Sequence, residues 1–155
     1  AVKFKLQSQW PDTKKTYLAV VHGRCEKRDG TISSYLAENQ AYSVYETKDA
    51  RKGKLAHTAY KVIKETRDFS LLEIDLLTGR KHQIRVHLAG IGHPVVGDQR
   101  YGQERKARNR LALHAKSISF AHPFSGETLA FVTKVPEFFH TLIGRWQPEP
   151  AQPVI

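Results

Sequence analysis

The chain has one cysteine, Cys25, and no methionine among its 155 residues. A single thiol excludes an internal disulfide and any multi-cysteine zinc site, which fits a reducing compartment; with no activating partner in sight, Cys25 reads as an inert thiol in a turn. No apolar run approaches the roughly 20 residues needed to cross a bilayer, and the N-terminus lacks the basic-then-apolar order of an export signal, so the expected location is the cytoplasm. Neither a Gly-x-Ser-x-Gly elbow nor a phosphate-cradling or dinucleotide-binding glycine pattern occurs, which sets aside hydrolase and nucleotidase chemistry. Acidic residues are scarce: Lys and Arg outnumber Asp and Glu by 25 to 15.

The resulting net charge of +10 is concentrated, because Arg80 to Arg110 holds eight Lys and Arg residues against Asp98 and Glu104. A local field of that kind steers a protein towards nucleic acid or another anionic surface, with strong salt dependence; the alternative is a solvated face that keeps the chain soluble. The length suits one domain with a real core. Residues 1–146 are expected to form it, with a proline-rich tail over 147–155.

Tyr17 to His22 carries apolar residues on both faces and is predicted to be a mid-sheet strand. Residues 56–66 and 69–77 predict a hairpin, since Leu72, Ile74 and Leu76 alternate with Glu73 and Asp75 while Arg67-Asp68 turns the chain. Ala1 to Gln9 has weak helical periodicity, Arg24 to Gly30 reads as a charged turn, and Arg51 to Lys54 as a basic loop. From Lys81 the period becomes helical, with Ile84, Leu88 and Ile91 as an apolar stripe; Gly90, Gly92 and Pro94 end it. A charged segment over 103–110 precedes strand-like stretches at 111–120 and 129–133, and Pro136 opens a short helix. Many strands and few helices predict an α+β fold around a mainly antiparallel sheet.

The stretch from Leu76 to Gly102, LLTGRKHQIRVHLAGIGHPVVGDQRYG, carries the most information. Arg80, Lys81, His82, Gln83 and Arg85 fall where a strand ends and a helix begins, so backbone N–H groups, the positive end of the helix dipole and several cations converge on one place suited to phosphate. Arg85 flanks the apolar stripe and should be partly desolvated, so it needs an anion. Asp75, Asp98 and Glu127 are candidates, but Asp75 is expected to face outwards and Asp98 to be committed to the Gly97 turn. Histidines 82, 87 and 93 do not share one helix face, which argues against a metal site, and His82 and His87 are assigned instead to backbone or RNA hydrogen bonds. Arg108 and Arg110 extend the basic surface. Tyr17, after Lys14 and Lys15, would present its ring at a sheet end where a base could stack; the alternative is a core tyrosine.

Taken together, these residues resemble the RluA family of pseudouridine synthases. Lys15 to Gly23 resembles the family's tyrosine strand, Gly30-Thr31-Ile32 its following turn, and Gly53 to Tyr60 its next strand. The strongest likeness is Thr78 to Gly102, and Arg110 to Ala115 with His122 to Glu127 completes the order. The resemblance implies a pseudouridine-synthase-like fold and the conversion of uridine in structured rRNA or tRNA to pseudouridine, with no cofactor or metal. It also implies that Tyr17 stacks on a flipped uracil, that Arg85 pairs with the catalytic aspartate, and that Arg80, Lys81, His82 and Gln83 line the RNA-facing edge.

One part of the family pattern is missing. The catalytic aspartate lies in a His-Arg-Leu-Asp motif before the tyrosine strand, and no such motif occurs in the 155 residues. The chain is therefore expected to be a fragment or the product of a shortened gene, rather than an intact enzyme that recruits another aspartate. Loss of early strands would bare a sheet edge, so self-association or a complementing N-terminal fragment is expected. A non-catalytic RNA-binding remnant, and a basic module for an acidic protein, are the competing functions.

Overall fold

The computed structural model describes residues 13–102 and 110–147. The helical periodicity of residues 1–9, the segment 103–109 with Arg108, and the tail from 148 lie outside the described residues.

Seven strands form one sheet in the order β3-β2-β4-β5-β1-β6-β7, with every neighbouring pair antiparallel. They are β1 (Lys14–His22), β2 (Asp29–Glu38), β3 (Val44–Thr47), β4 (Lys54–Glu65), β5 (Phe69–Leu76), β6 (Leu113–Ala121) and β7 (Thr128–Val132). Two described helices accompany them, α1 (Gln83–Gly90) and α2 (Glu137–Ile143). The α+β, mainly antiparallel expectation holds. β1 lies between β5 and β6, as apolar residues on both of its faces require, and Leu18, Ala19, Val20 and Val21 are all 0 % exposed. The hairpin β4–β5 also stands where alternation placed it, closing between Glu65 and Ser70.

β2 corrects the reading of Gly30-Thr31-Ile32 as a turn. These residues sit inside the strand, paired to Tyr60, Ala59 and Thr58 of β4. Burial alternates, with Thr31 and Ser33 exposed and Gly30, Ile32 and Ser34 partly covered, but Gly30 and Ser34 are not apolar, so no apolar alternation marks the strand locally; its partner β4 holds it extended.

Directly opposed residues of antiparallel strands share a face. Thr58 and Tyr60 oppose Leu76 and Ile74, and Ile74 also opposes Tyr17, so these residues define one face. It carries α1, whose His87 bonds Thr58. Leu18 opposes His114 on the other face, where the Phe139 ring of α2 meets the His114 ring edge-on at 6.2 Å. α1 buries Ile84 and Leu88 against the main core and Val86 against a second cluster of Leu36, Val44 and Ala56. Ile91, expected as the third residue of the stripe, is exposed because the helix has already ended at Gly90. Cys25 is buried, and that burial raises its thiol pKa, in keeping with an unreactive group.

Candidate nucleic-acid interface

The turn from β5 into α1 is built around the Gln83 side chain. Its Oε1 accepts hydrogen bonds from Thr78 Oγ1 (2.8 Å) and the Arg80 N–H (2.9 Å), while its Nε2 donates to the His57 carbonyl (2.8 Å) and Thr58 Oγ1 (2.9 Å). Thr58 in turn meets His87 Nδ1 at 2.7 Å, and His87 Nε2 meets Ser34 Oγ at 2.8 Å. With a hydroxyl on each ring nitrogen, the neutral imidazole donates to one of Thr58 and Ser34 and accepts from the other. Gln83 and His87 are thus buried and fully engaged. Expected at the RNA-facing edge, they are found four residues apart on α1, pointing together into the sheet, where they fix the turn's shape.

His82 precedes the helix in a left-handed conformation (φ 54, ψ 18) and makes no side-chain cap. Its ring instead meets the Tyr101 hydroxyl at 2.6 Å. That hydroxyl also accepts the Val44 N–H at 3.0 Å, tying the edge strand β3 to the site. Arg80 and Lys81 lie on the surface, the former donating from Nε to the Leu55 carbonyl (3.2 Å), the latter paired with Glu38 (2.7 Å).

Arg85 does not await an anion from beyond the chain. Its Nε and Nη2 donate to the two carboxylate oxygens of Asp98 at 2.9 and 2.8 Å, and its guanidinium lies 5.0 Å from the centre of the Tyr101 ring. The expectation that the Gly97 turn would consume Asp98 is corrected by geometry, because the turn uses only one of its carboxylate oxygens. Oδ1 accepts the N–H groups of Arg100 (3.1 Å) and Tyr101 (3.0 Å), and both oxygens still receive Arg85. Burial works to raise the Asp98 pKa, but these bonds outweigh it and hold the carboxyl below its ordinary value. The same turn brings the Gly102 N–H to the Asp98 carbonyl at 3.1 Å, and a Cβ at Gly102 would collide with that oxygen. Gly102→Ala is therefore expected to shift the turn and lower the melting temperature by several degrees, as a thermal scan would record.

Charge on this surface comes from Lys and Arg rather than histidine. Burial, reinforced by His57, lowers the His87 pKa to about 4. Burial and then the neighbouring Arg85, Lys81 and Arg100 lower that of His82, so both rings are neutral near pH 7.

Tyr17 is partly buried on β1 and, with Lys15, Ala115, Ser117, Phe131 and Thr133, lines a cavity of about 220 Å³ at the β1–β6–β7 end of the sheet. Arg85 belongs instead to the Asp98–Tyr101 cluster, over the β2–β3 side. Among the described residues no hydrogen bond, ion pair or ring contact joins Tyr17 to Arg85. The link between the two regions is Lys15: its side chain lines the Tyr17 cavity, and a Cβ built on Gly79 would stand 3.2 Å from its Nζ, which places the ammonium at the Thr78–Lys81 turn. Arg110 is elsewhere, its guanidinium 5.1 Å from the Phe138 ring centre of α2 on the opposite face, which removes it from the surface shared by Arg80 and Lys81.

Tyr101 is the residue that sequence reasoning passed over. It stands three residues beyond Asp98 in the Gly97-to-Gly102 turn, and that spacing in a turn already known to hold an Asp was the available signal. Lys52 and Lys54 showed only as part of a basic loop and Glu38 not at all, since it is the pairing of β4 with both β2 and β5 that brings them beside Arg80 and Lys81.

Comparison with known proteins agrees with this architecture. The sequence pattern of the RNA pseudouridylate synthase family matches residues 1–90. The chain is 37 % identical over 130 residues to an uncharacterized RNA pseudouridine synthase, YjbO, of Bacillus subtilis, covering 84 % of this chain and 46 % of that protein. It is 36 % identical over 148 residues to ribosomal large subunit pseudouridine synthase D of Nitrosomonas europaea, covering 88 % of this chain and 42 % of that protein. The chain thus spans less than half the length of these relatives. Among solved structures, human RNA pseudouridylate synthase domain containing 1 superposes with a TM-score of 0.76 at 28 % identity, over 96 % of this chain and 64 % of that one.

Proposed function

From the premise that this chain belongs to the RNA pseudouridylate synthase family, we propose that it supplies the base-binding and RNA-gripping part of a catalytic domain that isomerises uridine to pseudouridine in structured RNA. The N1–C1′ glycosidic bond breaks, the uracil turns, and a C5–C1′ bond forms; the C5 proton is lost and N1 is protonated. No cofactor is invoked. Two relatives are named as ribosomal large subunit enzymes, so ribosomal RNA is the proposed target, and the cytoplasm the proposed location.

The observation that carries the reading is the run of Tyr17, Lys15, Gly79, Arg80 and Lys81 along one rim of the sheet. A flipped uracil needs an aromatic face, and the strand from which it is drawn needs cations beside that face. Tyr17 is proposed to contact the base and to assist loss of the C5 proton. Arg85, already neutralised by Asp98, is proposed to position the turn that bears Arg80, Lys81 and His82. The catalytic aspartate is proposed to come from a His-Arg-Leu-Asp-bearing polypeptide joined to or associated with this one. The β7 edge supports such association, since Phe131 and Val132 are 56 and 60 % exposed there.

Tritium release from RNA carrying uridine tritiated at C5 tests this, with the chain alone and with a His-Arg-Leu-Asp-bearing polypeptide supplied in trans. Release is expected when the aspartate is present, and Tyr17→Phe should reduce it by at least about 100-fold while leaving RNA affinity within a few fold. Salt-sensitive RNA binding without release in either arm would establish a non-catalytic RNA-binding protein instead. A compact monomer in sedimentation, unchanged by the added polypeptide, would overturn the proposed association.

A further inference from the structure

We propose that the groove between the β3–β4 turn and the β5–α1 turn seats a phosphodiester of the bound RNA, and that Glu38 is a built-in carboxylate that this phosphate displaces. The inference rests on the RNA reading above and adds three residues to it, Lys52, Lys54 and Glu38.

The groove encloses about 350 Å³, and Lys52, Lys54, Arg80 and Lys81 line it with Glu38 and the side-chain-free Gly79. Four cations therefore face one carboxylate. They arrive from segments distant in sequence, so the cluster is a product of the fold and not of a local charge run. Its walls are ordered: the Asp49 carbonyl accepts the Lys52 and Gly53 N–H groups at 3.1 and 3.2 Å, Asp49 Oδ1 accepts that of Arg51 at 2.9 Å, and Arg80 is held by its bond to the Leu55 carbonyl. Cations presented on braced turns lose little backbone freedom when an anion arrives.

Glu38 meets Lys81 Nζ at 2.7 Å, with the two side chains 41 and 46 % exposed. An ion pair so open to water contributes little and is screened by salt, so a phosphate able to meet several cations at once displaces the carboxylate readily. Among the described residues the ammonium groups of Lys52 and Lys54 have no hydrogen-bonding or ion-paired partner, whereas Lys81 has one. Uncompensated cations of one sign in a concave, ordered site favour a polyanion over a single carboxylate, because each neutralised phosphate also releases condensed counterions.

The experiment is RNA binding by fluorescence anisotropy across a salt series, using a uridine-bearing stem-loop, with wild type, the double variant Lys52→Gln/Lys54→Gln, and Glu38→Gln. All three positions are exposed, and thermal melts matching wild type are the control for intact folds. The double variant is expected to bind about tenfold or more weakly and to lower the slope of log affinity against log salt by about one to two. Glu38→Gln should move the other way, tightening binding by about three- to tenfold at low salt, because the competitor for Lys81 is gone. Wild type that binds in a salt-sensitive way while the double variant matches it would overturn this inference and leave the RNA reading standing. Wild type that ignores RNA even at low salt would overturn both. Weaker binding by Glu38→Gln would show that the carboxylate supports the site rather than competes for it, and equal affinity for polyglutamate would remove phosphate as the occupant.

Discussion

Arg85→Ala is expected to destabilise the fold by about 3–5 kcal/mol, the cost of leaving one member of a buried ion pair without its partner. Asp98 is completely shielded from solvent at its side chain, and Arg85 is 19 % exposed. Without the guanidinium, the carboxylate keeps only the N–H groups of Arg100 and Tyr101, and the Tyr101 ring loses the cation stacked on it. Arg85→Lys should recover only part of the loss, since an ammonium cannot fork across both oxygens at 2.9 and 2.8 Å. Denaturant titration of Arg85→Ala, Asp98→Ala and the double variant checks the claim. The double variant should be clearly more stable than the sum of the single losses predicts, with a coupling of about 1–3 kcal/mol. Additive losses would mean that the pair is not what holds the turn. Under the positioning role proposed above, Arg85→Ala should also lower RNA turnover in the complemented enzyme, by displacing the Arg80–His82 turn. Arg85→Lys should therefore recover turnover in proportion to the stability it recovers.

Acid is the second large lever. His87 is 0 % exposed, its pKa lies at about 4 through burial and the nearby His57, and both of its ring nitrogens are engaged. An unfolded chain takes up the imidazole proton near pH 6.5, whereas the folded chain resists until about pH 4. The full stabilisation is thus present above pH 6.5, declines as pH falls, and is exhausted near pH 4. At about 1.4 kcal/mol for each tenfold difference in proton affinity, the loss attributable to this ring is about 3 kcal/mol. His82 and His114, also lowered by burial, add to it with the same sign. Stability measured in denaturant at steps from about pH 7.5 to about pH 4 should show the decline, and His87→Gln should flatten it even though it lowers stability at neutral pH. An identical pH slope in wild type and His87→Gln would exclude His87 as its source.

Parts of this protein could be read directly from the amino acids. Tyr17 to Val21 announces a central strand because both of its faces are apolar, and Leu72, Ile74 and Leu76 announce a half-covered one because every second residue is apolar. The change of period after Lys81 locates α1. Such patterns depend on residues adjacent in the chain, and the geometry of a strand or helix repeats within a few positions. Thr31 to Tyr35 carries no such repeat, so β2 exists as a strand only because β4 and β3 pair with its two edges.

The site divides in the same way. That a cation at position 85 beside an apolar stripe must find an anion follows from the sequence and the cost of burying charge. That the anion is Asp98, serving its own turn with one oxygen while offering both to Arg85, follows only from the folded loop. Gln83 and His87 sit in a basic run that suggests a surface, yet their spacing of one helical turn was a sign that they share an inward side, and Thr58 and Ser34 were needed to satisfy them there. The sequence by itself determined the family, the basic character and the elements with strong periodicity. The tertiary structure decided which charges are already neutralised and which remain to meet a ligand, because ion pairs and hydrogen bonds select partners by distance in space, and strand pairing sets those distances.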